Sequence, residues 1–486
     1  MNARVQNTCW ALVLLGVITL PAEASSQTRE YRFGDGTGLC VHFNDPSGAE
    51  FAEQVLDAAV SAYQTLTQFE GFHTPGYSFA SPDKNYAYDP DQIIDIYLGT
   101  SDEENAYEEL GAKNKLFRDA PCFDTRKTGS ARYEAFILLP SNYEAFIRNW
   151  EQMNPSPLGK RNINVDLRGT LIHEMTHVIV FYYNKNLDKA GEESAPSAHL
   201  DWYVEGLARY FETFAGARHD FYSQGFKQTL PDRIRFSRGG SNYFMRYPDQ
   251  AFTGLRYENA LFWRFMDVRF GMSAIESLSR RLRSSPGEFK EALEEVTGMD
   301  FKTLLERYAT SVLLGDFELK EESGYLHPVA STKLLFDEGE FILLDGRGGR
   351  ENLGRICRTD WIGSWEDEQA SFGEASVAGD ATEAADVSAW ATDYVQLRLG
   401  PDSALPDIKL KNLGEGQPIS VQLFVFTRGG SLLQAEPITV VRGATRSLDL
   451  PKRLALYSLD PSDLEKIVLA LTNTDPQKTS PYEILA

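Results

Sequence analysis

The chain has 486 residues, 42% hydrophobic and 12% aromatic, enough to bury at least two cores and too apolar for a disordered polymer. A formal net charge of -22 at pH 7 argues against nucleic acid or an anionic membrane surface as a partner, since both are polyanions. Past the first 24 residues no stretch approaches the roughly eighteen uncharged apolar positions of a membrane span, which argues against an integral membrane protein.

The chain opens with Met1-Asn2-Ala3-Arg4, an apolar run over 9–20 and Ala22-Glu23-Ala24. A basic start, a short apolar core and an A-x-A site predict a secretory signal cleaved after Ala24, hence a secreted or periplasmic protein. Cys9 lies inside that run. Cleavage leaves Cys40, Cys122 and Cys357, a set that permits one disulfide with its pairing open and is too small for a disulfide scaffold.

Hydrophobic alternation then predicts strands over 39–43, 93–98 and 135–139, the last a core strand before Pro140. A helix is expected over 49–69, with Phe51, Val55, Ala59 and Leu66 on its apolar side. Residues 154–159 carry two prolines and a glycine and break structure ahead of a helix over 164–183. Further helices over 201–214, 257–270, 273–282, 286–296 and 300–314 predict an α-helical lobe, with a substrate cleft between it and the strand-bearing half. Tyr222, Tyr243, Phe244 and Tyr247 fall in an irregular stretch and either line that cleft or pack it down. From about residue 324 short strands with Gly and Pro turns take over, at 340–344, 394–399, 419–426 and 466–471, which reads as a β-sandwich. Residues 366–386 hold seven acidic and no basic side chains, a solvated linker whose carboxylates lack the repeated spacing of a Ca²⁺ loop.

The chemistry concentrates in His173-Glu174-Met175-Thr176-His177. Two histidines four positions apart on a helix share a face and can both bind one Zn²⁺, with Glu174 placed as general base toward a metal-activated water. A catalytic zinc takes a third protein ligand and keeps one position open. Glu205, 28 residues past His177 in Trp202-Tyr203-Val204-Glu205-Gly206-Leu207-Ala208, is the best available; His199, Asp201 and His219 remain open. The continuation in which a Gly and a third His follow at fixed spacing is ruled out by Val180 and Tyr183. The structural alternative is a pair of core histidines satisfied by carbonyl groups and a solvated Glu205.

This motif with its distant Trp202-x-x-Glu205-Gly206-x-Ala208-x-Tyr210 resembles the gluzincin metallopeptidases. Over most of 30–486 the chain is similar to secreted bacterial members that carry a β-sandwich after the zinc helix. The resemblance implies an α+β fold. A zincin-like catalytic domain over 25–323, a small mixed sheet plus the helical lobe, would be followed by a β-rich connection (324–365), the acidic linker (366–386) and an accessory β-sandwich (387–486). It implies a zinc peptidase in which His173, His177 and Glu205 hold Zn²⁺ and Glu174 takes a proton from water and returns it to the leaving amine.

By the same resemblance, an edge strand near the metal pairs with extended substrate; the strand over 135–139 is the candidate. Tyr257, 52 residues past Glu205, would steady the tetrahedral intermediate, or else packs on the run Tyr257, Leu261, Phe265. No Gly-x-Met-Glu-Asn stretch precedes the zinc helix, which favours endopeptidase over aminopeptidase activity. Arg209 stands where thermolysin-like relatives place an acidic partner for a ligand histidine, leaving Asp166 and Asp201 as candidates for that role. The competing reading is a secreted adhesion or surface-binding protein with an inactive or structural zinc site; a hydrolase of non-peptide bonds is a third. Under the peptidase reading, a chain truncated near residue 324 should still cleave peptides.

Overall fold

The computed structural model describes residues 27–44, 46–72, 92–99, 121–127, 133–153, 162–183, 201–212, 259–281, 286–314, 342–344, 350–351, 385–387, 390–399, 408–414, 418–428, 432–475, 478 and 480–485. Over these the protein is mixed α and β with several sheets. The signal segment to Ala24, Tyr257, His199, His219, the four aromatics Tyr222, Tyr243, Phe244 and Tyr247, Cys357 and the acidic run up to residue 384 lie outside the described residues.

Five strands make the first sheet: β1 (Gln27–Arg32), β2 (Gly38–Phe43), β3 (Ile93–Gly99), β4 (Cys122–Lys127) and β5 (Tyr133–Pro140), ordered β1-β2-β3-β5-β4. The three central strands run parallel, and β1 and β4 close the edges antiparallel. β5, read from the sequence as a core strand and, by resemblance, as the candidate substrate edge, is interior. Its run Ala135 to Leu139 is buried at every position, as a strand covered on both faces requires. Among the described residues the edge beside β5 is β4, which reads Cys-Phe-Asp-Thr-Arg-Lys, a charged sequence of the kind edge strands carry.

On one face of this sheet Leu39, Val41, Ile94, Ile96 and Ile137 join a single large core with two helices. Helix α1 (Ala49–Gln64) lays a stripe that includes Ala52, Ala59 and Ala62 toward the core, small side chains that let its backbone come close. It continues into a wider turn at Thr65–Phe69. Helix α2 (Tyr143–Met153) leads to α3 (Ile163–Tyr183), which is buried from Val165 onward at all but two positions. A helix with no exposed stripe sits inside the protein, so each of its polar groups needs a partner. Thr176 donates to the Ile172 carbonyl at 2.7 Å and Thr170 pairs with the Tyr143 hydroxyl at 2.7 Å. The two histidines and Glu174 are left to the site.

Helices α4 (Asp201–Tyr210), α5 (Ala260–Phe270), α6 (Met272–Arg281), α7 (Pro286–Thr297) and α8 (Phe301–Leu314) build the helical lobe. Trp202 anchors α4: it stacks on Trp263 of α5 (centroids 5.8 Å apart, planes 10° apart) and meets Phe289 of α7 edge-on at 4.2 Å.

The C-terminal region has two sheets. One runs β12-β11-β14-β9-β6-β7, from β6 (Ile342–Leu344), β7 (Arg350–Glu351), β9 (Ala391–Leu399), β11 (Ile419–Thr427), β12 (Leu432–Val440) and β14 (Leu464–Asn473). The other runs β13-β10-β15-β8, from β8 (Ala385–Val387), β10 (Lys409–Asn412), β13 (Thr445–Ser447) and β15 (Ser480–Leu485). Helix α9 (Leu450–Leu456) packs with them. Alternation along β14 splits the residues by face. Ile467, Leu469 and Leu471 enter a core shared with Leu410, Tyr482 and Ile484 of the second sheet. Val468 and Ala470 face the other way, into the same core as the helical lobe.

That second contact is extensive. Trp390 packs on Phe301 at 4.7 Å and on Phe289 at 6.1 Å. The Tyr394 hydroxyl donates to the Ala309 carbonyl at 2.8 Å, and the Gln422 amide donates to Thr310 at 3.0 Å. The C-terminal sheets are thus built onto α7 and α8.

Candidate metal centre

Helix periodicity sets the first two donors: four residues apart on α3, His173 and His177 present their Nε2 atoms 3.2 Å from each other. Helix α4 brings the third. Glu205 Oε2 lies 3.3 Å from His173 Nε2 and 3.7 Å from His177 Nε2. These separations are looser than good hydrogen bonds. They match donors that share one ion, since ligands at about 2.0–2.1 Å in a tetrahedron stand about 3.3 Å from one another. Nitrogen, nitrogen and carboxylate oxygen are a zinc-type set, so the residues present fit a divalent metal of that class.

The electrostatics agree. Burial alone would raise the Glu205 carboxyl, yet the His173 and His177 rings beside it hold it well below the usual carboxylate range. Burial opposes charge on His173 too, and is outweighed by Glu205 at one ring nitrogen and Glu212 at the other, so that His173 is raised to about 10. Carboxylates at both nitrogens of one buried imidazole make the cluster favour positive charge.

Glu174 follows His173 in the chain and is 8% exposed. Burial raises its carboxyl, only partly offset by the two imidazoles and by the Phe123 backbone amide, which donates to it. Phe123 belongs to β4, and an amide given to Glu174 is not given to β5, so it points out of the sheet's free edge. The Phe123 ring also lies against His177, centroids 5.9 Å apart. The edge strand of the sheet therefore borders the donor cluster.

The carboxylate at the far nitrogen of His173 is Glu212, whose Oε2 is 3.3 Å from His173 Nδ1 and 2.9 Å from Arg209 Nη1. Asp166 and Asp201 had been the expected partners. Glu212 lies seven residues past Glu205, two helical turns along the same face, and that spacing is the signal that could have found it. Of the other sequence candidates, Asp201 opens α4 and Asp166 is buried near the start of α3; Tyr257 is outside the described residues, as are His199 and His219. Comparison of the chain with protein-family models and with curated proteins gives no match.

Proposed function

We propose that the protein is an exported zinc-dependent peptidase of the gluzincin type, acting as an endopeptidase. The observation that carries this reading is the triangle of His173, His177 and Glu205 donors with sides of 3.2, 3.3 and 3.7 Å, set beside a buried carboxylate with no place in the triangle. When bound, Zn²⁺ would supply Lewis acidity toward a water and toward a substrate carbonyl.

The rest is work for this chain's own side chains. Glu174, raised by burial, accepts a proton from the attacking water and hands it to the leaving amine, the duty of a carboxylate whose affinity for protons lies above the usual range. The Phe123 amide fixes the orientation of Glu174. Glu212 sets the ring plane of His173. The outer side of β4, the edge strand among the described residues, is where an extended peptide would pair through its main chain, with little demand on side-chain sequence. Tyr257 is retained as a candidate for steadying the tetrahedral intermediate.

The test is stripping with a chelator followed by zinc add-back, scored on an unfolded casein-like substrate. Loss and recovery of cleavage support the reading; cleavage that persists in the stripped chain, or that zinc fails to restore to a chain still folded, removes it.

A further inference from the structure

We infer that the opposite face of the N-terminal sheet carries a second transition-metal site, made by Cys40 and His42 of β2 and Asp95 of β3. The three donor atoms lie within 4.8 Å of one another. Register makes the cluster: Cys40 stands directly across from Asp95, and His42, two residues on and so on the same face, stands across from Tyr97. Leu39, Val41, Ile94 and Ile96, which alternate with these residues, point the other way into the core under α3. The sheet thus separates this cluster from the donors on α3.

The donor set selects the ion class. A thiol, an imidazole and a carboxylate suit zinc or cobalt(II), whereas calcium and magnesium take oxygen donors. His42 Nε2 and Asp95 Oδ1 are 2.7 Å apart, a proton-bridged pair. Exchange of that proton for a metal ion would part them to about 3.3 Å and draw in the thiolate. The His42 ring is held flat against Tyr97, centroids 4.5 Å apart and planes 16° apart, so its orientation is set before an ion arrives. The three side chains are mostly covered but not sealed, with His42 22% and Asp95 18% exposed, which leaves a path for an ion.

Cys40 is available for this role. It is a reduced thiol, with no disulfide among the described residues. Cys40 and Cys122 lie on β2 and β4 with β3 and β5 between them, and three strand spacings amount to about 14 Å, twice the reach of a disulfide. One of the three pairings left open by the sequence is thereby excluded.

Cobalt reads the two sites separately, because the donors on α3 and α4 include no sulfur. The full chain, stripped and titrated with Co²⁺, is expected to develop a sulfur-to-cobalt charge-transfer band that saturates by two equivalents added, one of them taken by the cluster on α3 and α4 without contributing to the band. The band should persist in Cys122→Ser and vanish in Cys40→Ser. His42→Asn, which leaves the thiol in place, should weaken the Co²⁺ binding that gives the band at least tenfold, and this variant decides the matter if Cys40→Ser does not fold. Absence of the band in the wild-type chain, its survival in Cys40→Ser, unchanged affinity in His42→Asn, or Cys40 found oxidised in a disulfide would each overturn the proposal.

Discussion

Glu212 and His173 meet across two helices, the carboxylate Oε2 3.3 Å from the ring Nδ1, while the Nε2 of the same ring faces Glu205 at 3.3 Å. One imidazole is thus gripped from both nitrogens by acids two turns apart on one helical run. Arg209, at the position where an acid was expected, contacts Glu212 rather than a histidine. The acid at His173 Nδ1 thus carries its own counter-ion three residues earlier on the same helical run.

Glu212→Gln keeps the shape and removes the charge. The expected result is a loss of zinc affinity of about 10–100-fold, with cleavage restored by excess zinc. Competition titration against a chromogenic chelator checks it, and an unchanged affinity would show that the contact is only packing.

Glu174→Gln and His177→Ala should fail differently. The first should keep one equivalent of metal in the cluster on α3 and lose about 10²–10⁴-fold in turnover. The second should lose that metal. Elemental analysis beside steady-state kinetics separates the two, and full activity in Glu174→Gln would remove the assigned proton transfer.

Truncation near residue 324, which the sequence suggests is harmless, should instead destabilise the helical lobe. It would strip cover from Phe289 and Phe301, now 1% and 2% exposed, each contributing about 1.5–3 kcal/mol by burial. It would also expose the core face completed by Tyr394, Phe424 and Val468. Against a total stability on the order of 5–15 kcal/mol, an aggregated or low-melting fragment is expected. A fragment with the thermal midpoint of the full chain would contradict this packing argument.

The pair of His42 and Asp95 should give the metal-free chain a pH-dependent stability. Burial disfavours charge on His42 and its hydrogen bonds with Asp95 and Cys40 restore it, so its folded-state value is raised to about 9 from 6.5. A raised value stabilises the fold fully below the unfolded value and loses that contribution as pH rises through the folded one. The urea midpoint in chelator should therefore fall from about pH 6.5 to 9, and Asp95→Asn should flatten that step; an equal slope in both chains would count against it.

Much of the protein is legible in one dimension because the relevant contacts are local. Histidines four apart must share a helical face whatever surrounds them, and the strands at 38–43 and 93–99 announce themselves by β-branched and aromatic runs. The helical lobe is read from its 3.6-residue period in the same way. Glu212 was missed because a carboxylate's partner across two helices depends on how those helices cross, and β4 because its charged residues look like a loop until a neighbour pairs with them. The order of the sheet, with β5 inside and β4 outside, follows from long-range pairing, which no local pattern encodes.

The sequence by itself determined the pair of imidazoles, the acid beside them and the acid-rich surface, since covalent spacing and composition are properties of the chain alone. Tertiary structure alone decided that Glu205 completes the triangle, that Phe123 reaches Glu174, that Cys40, His42 and Asp95 share one face, and that the C-terminal sheets share a core with the helical lobe. Each of those is a distance between residues far apart in the chain, fixed only when apolar faces are buried against one another and helices and strands take up definite positions.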